Sequence, residues 1–342
     1  MPHKTFLAFI WPSLLAMILF IAIPIFSVAY QSLFIQHEQV LVTTETCSPF
    51  GCKKQVTVDA AEMRRLREEQ PMGRYNGLGT YTNSSHLAFD DINEIFRTSQ
   101  NFGEIRDKIM NLPFYKALIF TLSYTFIVTP LVIVFGFIVA VVVNSLPSLF
   151  KGPVIFFSLL PMIVTPLVGA LVLYWMIDSR GIIGAALQAL FGDPNLSLKA
   201  SPTLTWVTLF AYGVWHSSPF AFVVFYAGLQ TVPADTLESA MVDGANRWER
   251  IRFVTLPYLM PLVTFIALMQ LMDNFRVFEP IIGFSAAASA TSLSYLIYSD
   301  LRASDSPLFG SAAATSLLTI IGVIILLMPV LRRNWREFNR KS

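Results

Sequence analysis

Gln270, Asp273 and Asn274 lie three and four residues apart inside an otherwise apolar segment. On a helix that spacing puts them on one face. Polar groups at membrane depth are costly and mark solute paths by default. Phe275 and Phe278 follow directly, with Arg276 and Glu279 beside them. Amide and carboxylate groups next to aromatic rings suit a hydroxyl-rich solute. Its hydroxyls need oriented donors and acceptors, and its C–H face stacks on a ring. The alternative is an ion pair between Asp273 and Arg276 that only holds the helix exit. Trp215 and Tyr124, in two other apolar segments, are further pathway candidates. His216 either lines the same space or is packed against a helix carbonyl.

Other chemistries lack their parts. Cys47 and Cys52 are the two cysteines, and His3, His37, His86 and His216 are scattered, so no metal-ligand cluster is spelled out. There is no nucleophile–base motif for a membrane-embedded enzyme. There is no G-x-x-x-x-G-K-[ST] loop to cradle ATP phosphates. A net charge of +2 offers no basic stripe for nucleic acid.

The elements that must position these residues are membrane spans. The chain has 342 residues, 54% hydrophobic and 13% charged, against about 25% charged in soluble domains. Spanning helices need about 20 apolar residues, and six segments qualify: 6–34, 114–144, 153–177, 203–229, 258–275 and 311–331. The fold class is therefore an all-α integral membrane protein, with the first apolar run read as a retained helix. Prolines 130, 161 and 166 read as kinks. Trp11, Tyr30, Tyr115, Trp175 and Trp335 fall near segment ends, as interfacial aromatics do. Orientation follows the basic residues of the short loops. Lys4, Lys151, Arg247, Arg250, Arg252, Arg332, Arg333, Arg336, Arg340 and Lys341 share one side, against Arg180, Lys199, Arg276 and Arg302 on the other. Both termini are thus expected in the cytoplasm. The expected organisation is 1–34 as tail and first helix, 35–113 as an enlarged outer loop, 114–331 as the core, and 332–342 as a cytoplasmic tail.

The outer loop holds a candidate helix, VDAAEMRRLREEQ, and a turn-rich PMGRYNGLG. Cys47 and Cys52 enclose Ser-Pro-Phe-Gly and form a candidate disulfide in an oxidising compartment, or remain two free thiols. The loop reads equally as a small cap without chemistry.

Residues 238–257, ESAMVDGANRWERIRFVTLP, form the longest polar interval in the second half of the chain. Asp235 and Glu238 read as a capping box that starts a helix. Gly244 ends or bends it. A second amphipathic run leads to Pro257. This is a helix–Gly–helix elbow beneath the membrane, or an ordinary interfacial amphipathic loop.

That stretch carries a family resemblance. Glu238-Ser239-Ala240, then Gly244, then Leu256-Pro257 resembles the EAA loop of ABC-importer permeases, with Ser239 and Val254 as small departures. Ala227-Gly228-Leu229-Gln230-Thr231-Val232-Pro233 and Asp243-Gly244-Ala245 are similar to the carbohydrate-type, MalF-like branch that includes lactose and glycerol-phosphate permeases. Tyr75 to Tyr81, Phe150-Lys151-Gly152, Leu160-Pro161 and Gly181-Ile182-Ile183-Gly184 also fit, while Gly283-Phe284-Ser285-Ala286-Ala287 replaces the usual Gly-Gly-Pro. The resemblance implies the six-helix type I permease fold, in a bacterial inner (plasma) membrane. It implies that Glu238, Ser239, Ala240, Asp243, Gly244, Leu256 and Pro257 couple the chain to a cytoplasmic ATP-binding subunit dimer. It also implies a second homologous permease, a periplasmic solute-binding protein and a carbohydrate substrate. No cofactor is expected on this chain, because ATP and Mg belong to the ATPase. A secondary transporter would use similar midplane groups without a docking elbow.

Overall fold

In a bilayer the backbone must satisfy its own hydrogen bonds, so the apolar runs close into helices. The computed structural model describes residues 3–37, 40–48, 51–99, 101–199, 201–303 and 308–341. Side chains of residues 3–5, 7, 8, 44–48, 51–55, 67, 333, 334 and 336–341 lie outside the description.

Phe9–Gln31, Pro113–Asn144, Pro202–Leu229 and Phe309–Arg332 are each long and apolar enough to cross a membrane unbroken. Two further spans are bent pairs: Ser148–Ile163 with Pro166–Met176 at 96°, and Arg247–Tyr258 with Met260–Phe275 at 67°. Counting each pair once gives six, as the apolar segments predict. The predicted kinks at Pro161 and Pro166 flank the first break, whereas Pro130 lies inside an unbroken helix. Pro24 and Pro257 each follow a π-helical turn, Ile18–Ala22 and Ile251–Thr255, by two residues. A proline removes one backbone bond and crowds the carbonyl four residues back. A widened turn just before it relieves that crowding.

The chain divides into two compact units, Lys116–Tyr295 with Ile321–Ser342, and Met1–Tyr115 with Leu296–Ile320. These do not follow the sequence boundaries, because the outer segment clusters with the first helix and with 296–320.

In the first of these units the core lies between Pro113–Asn144 and Pro202–Leu229. Phe120, Val128, Val132, Leu209, Phe222 and Phe225 are buried there. Small residues let the two backbones approach. A Cβ on Gly136 would come within 2.6 Å of Ala221 Cβ and 2.9 Å of the Phe222 nitrogen.

In the other unit a hairpin pairs Leu41–Ser48 with Gly51–Val58. Its backbone register sets Cys47 opposite Cys52, and the sulfurs of the candidate disulfide lie outside the described residues. The predicted helix is present as Ala60–Glu69, and Asp59 Oδ1 accepts from the backbone of Ala61 and Glu62 at 3.0 and 3.1 Å. His86 is fully buried. Its Nδ1 lies 2.9 Å from Asn83 Oδ1, and its Nε2 lies 3.1 Å from both Ser311 O and Thr315 Oγ1. Ser311 donates to Asp300 at 2.7 Å. This cluster pins the outer segment to the start of Phe309–Lys341.

Burial holds the His86 imidazole below its ordinary value of 6.5 and raises the Asp300 carboxyl. A lowered histidine means that the folded state binds fewer protons than the unfolded chain as pH falls through 6.5. Stability from this group is therefore present above that pH and lost below it. Asp300 works the other way at lower pH, because its protonated form is favoured in the fold. Acidification from neutral to just below 6.5 is expected to lower the protection of the amides over 83–88 once the slower intrinsic exchange at the lower pH is divided out. In His86→Gln the protection should be the same at both pH values.

Candidate coupling loop and pathway residues

The 233–257 stretch is built from two short helices locked by their own backbone. Ala234–Val242 opens after Pro233 without a side-chain cap. The expected capping box of Asp235 and Glu238 does not form, since Asp235 lies within the first turn. There its charge still complements the helix dipole. Pro233 fixes the entry instead, and Ser239 Oγ donates to Asp235 O at 2.8 Å. At the other end Gly244 adopts φ +83. Gly244 N donates to Met241 O at 3.1 Å and Ala245 N to Ala240 O at 2.9 Å, the paired bonds of a Schellman motif.

The capping box of this loop sits one helix later. Asn246 Oδ1 accepts from Glu249 N at 2.9 Å, and Glu249 Oε2 accepts from Asn246 N at 2.7 Å. The signal was present as Asn-x-x-Glu. Arg247–Arg250 then runs into the π turn, and Leu259 marks the 67° break. Tyr258 donates to Thr231 O at 2.9 Å, tying the elbow to the end of Pro202–Leu229.

Glu238, Ser239, Asp243, Gly244, Leu256 and Pro257 are exposed and Ala240 is half-buried. Exposed with them are Met241, Val242, Trp248 and Phe253, with Val242 at 88%. The loop thus presents exposed apolar side chains on a pre-ordered backbone.

The pathway candidates divide. Gln270 and Asn274 are buried, and Asn274 Nδ2 donates to Thr129 Oγ1 at 3.0 Å and to Gln270 Oε1 at 3.4 Å. These amides hold Met260–Phe275 to the Pro113–Asn144 helix. Asp273 is exposed and accepts from Arg276 at 3.1 Å, so the alternative ion pair exists. Both partners are more than half exposed, which leaves little stabilisation in the pair. Phe275 is buried, Phe278 half-buried, and Glu279 exposed at the start of Glu279–Gly283. Ser285 at φ 49 ends that short helix in a conformation that favours glycine. Tyr124 is buried against Phe120 and Phe210, whereas Trp215 lines an open apolar groove of about 520 Å³ with Val207 and Phe210.

The sequence passed over one pair of contacts. Tyr212 donates to Pro166 O at 2.7 Å, and His216, one turn on, has its Nε2 3.1 Å from Val164 O. Val164 O lies at the 96° break, just past the end of Ser148–Ile163 and outside both helices, whereas Pro166 O is in the first turn of Pro166–Met176 and takes the Tyr212 bond in addition to its place in that helix. His216 is therefore the packed, carbonyl-bonded histidine. The available signal was Tyr212 and His216 four residues apart in one span, opposite Val164-Thr165-Pro166. Gly169 makes room, since a Cβ there would lie 2.6 Å from the Tyr212 hydroxyl. Among the described residues no group of His, Cys, Asp and Glu is placed to hold a metal ion.

The family described as "Binding-protein-dependent transport system inner membrane component" matches residues 109–336. The chain is 28% identical over 285 residues to the "Probable ABC transporter permease protein YesP" of Bacillus subtilis, covering 80% of this chain and 87% of that protein. It is 27% identical over 215 residues to the "Trehalose/maltose transport system permease protein MalF" of Thermococcus litoralis, covering 62% and 71%. In structure it resembles a chain of a bacterial ABC transporter involved in the import of the acidic polysaccharide alginate. The TM-score is 0.64 at 18% identity, over 97% of this chain and 96% of the other.

Tyr212→Phe leaves the packed ring but removes its bond to the Pro166 carbonyl, at a cost of about 0.5–1.5 kcal/mol. We expect a lower melting temperature in detergent and faster proteolysis near residues 163–166. His216→Leu should act in the same direction.

Proposed function

The chain belongs to the binding-protein-dependent transport system inner membrane component family, and on that premise we propose how its surfaces divide the work of an ATP-driven importer. It is a multi-pass membrane subunit without an ATPase of its own. We assign carbohydrate, or a carbohydrate derivative, as its solute. The support is the sugar-permease relatives and the exposed Asp273, Arg276 and Glu279 beside Phe278 at the exit of Met260–Phe275. A second permease completes the path, and a periplasmic solute-binding protein delivers to it. Both termini and the 233–257 loop face the cytoplasm, following the basic residues.

The observation that carries this assignment is the loop itself. Met241, Val242, Trp248 and Phe253 are exposed apolar side chains on a loop fixed by a Schellman motif and a capping box. A loop of that kind fits a cleft in a soluble ATP-binding subunit. When ATP and Mg close that partner, a stiff elbow passes the displacement on. The Tyr258 bond to Thr231 and the bend at Leu259 carry it to the fourth and fifth spans. Rigid-body rocking of the spans then exposes the solute site to alternate sides. Glu238 and Gly244 serve coupling in this scheme, and the residues around 273–279 serve solute contact.

Gly244→Ala meets no neighbour within 4 Å, so its cost is the left-handed backbone alone, about 1–2 kcal/mol. Gly244→Ala and Glu238→Ala should lower ATP-driven uptake with the permease still inserted and folded. Retention of full uptake and of ATPase co-purification in both variants would remove the coupling assignment. Asp273→Asn and Arg276→Gln, at exposed positions, should raise the apparent KM for the carbohydrate and leave ATPase co-purification intact. Ligand screening of the cognate binding protein identifies the solute, and a non-carbohydrate ligand would overturn that part of the reading.

A further inference from the structure

A second cavity, of about 260 Å³, opens where Pro113–Asn144 and Pro202–Leu229 end beside the 233–257 loop. Its wall has two characters. Val141, Val232 and Ile251 supply apolar lining. Arg247 and Arg250 add two cations to the lining, and Asn144 and Ser145 add neutral polar groups. The two arginines are three residues apart on the same capped helix, so their side chains leave from one face. Neither takes part in an ion pair or hydrogen bond found among the described residues. The nearby carboxylate of Glu249 is already engaged by the backbone of Asn246 at 2.7 Å. Asn144 Oδ1 accepts from Gln230 at 2.9 Å, which leaves the Asn144 amide hydrogens to donate elsewhere.

We propose that this groove binds the headgroup of an anionic phospholipid, with the phosphodiester between Arg247 and Arg250 and an acyl chain along Val141 and Val232. Guanidinium groups suit phosphate because their paired N–H donors match its oxygens. The groove lies where two spans stop, at the depth of the polar interface, and basic pockets between spans at that depth select anionic headgroups. A soluble phosphate would use only the cationic groups and leave the apolar lining wet. The lipid braces the Arg247–Arg250 helix against the ends of two spans, and so stiffens the elbow on its membrane side. The proposal rests on the membrane-spanning reading and is independent of which solute is carried.

The test uses the assembled transporter in nanodiscs of phosphatidylcholine with or without phosphatidylglycerol. Lipid retained through detergent exchange is counted by native mass spectrometry. Wild type should retain phosphatidylglycerol selectively, and Arg247→Gln with Arg250→Gln should lower retention on the order of tenfold. Ser145→Glu adds a negative charge at an exposed position of the groove, outside the loop, and should lower retention several-fold. It decides the matter if the double variant fails to assemble. Unchanged retention in Ser145→Glu and in an assembled double variant overturns the proposal. Equal displacement by inorganic phosphate overturns the lipid and points to a soluble anion. Loss of ATP-driven uptake throughout, with selective retention intact, would count against the transport reading and not against the groove.

Discussion

Backbone carbonyls that lose their helical partner at membrane depth must find another one, and the rest of this structure depends on how that is done. The third span turns by 96° between Ile163 and Pro166. His216 from the neighbouring span reaches Val164 O, the carbonyl left outside both helices, and Tyr212 adds a bond to Pro166 O in the first turn that follows. Pro257 is handled differently, by the widened turn at Ile251–Thr255. Each device places a bend where a straight helix would otherwise run. The bends then bring short helices into close contact. Glu279–Gly283 packs on Pro166–Met176 so tightly that a Cβ on Gly283 would meet Ala170 Cβ at 2.6 Å.

The elbow at 233–257 shows a second use of local hydrogen bonding. Its two helices are too short to persist alone. Each is instead closed at an end by backbone geometry or a reciprocal side-chain cap, and the elbow is anchored by one tyrosine bond to the preceding span. Rigidity here costs few residues and leaves the apolar side chains free for a partner. The lining of the neighbouring groove comes from the same helix that carries the capping box.

Much of this was legible in the sequence. Six apolar runs, the helix after Asp59 and the Gly244 turn all follow from length, capping and glycine chemistry. The misplaced capping box has a simple cause. Pro233-Ala234-Asp235 and Asn246 to Glu249 offer similar signals, and Pro233 at the first helix's entry left Asp235 at the second position of that helix instead of at its cap. The hairpin at 41–58 was missed although Val and Thr flank Ser-Pro-Phe-Gly, because the charges there read as loop. The face shared by Gln270, Asp273 and Asn274 was real in spacing, but one face of a helix is wide. Asn274 and Gln270 turn to Thr129, and Asp273 turns outward. Spacing cannot say which edge of a face meets a neighbouring helix.

The last helix runs without interruption from Phe309 to Lys341, 33 residues or about 50 Å. The segment 332–342, expected as a tail, thus continues the span through Lys341. Hydrocarbon of about 30 Å takes up only part of that length. A helical protein grafted in register onto this segment would inherit the orientation of the span. That makes it a natural mast for a rigid fiducial in single-particle imaging.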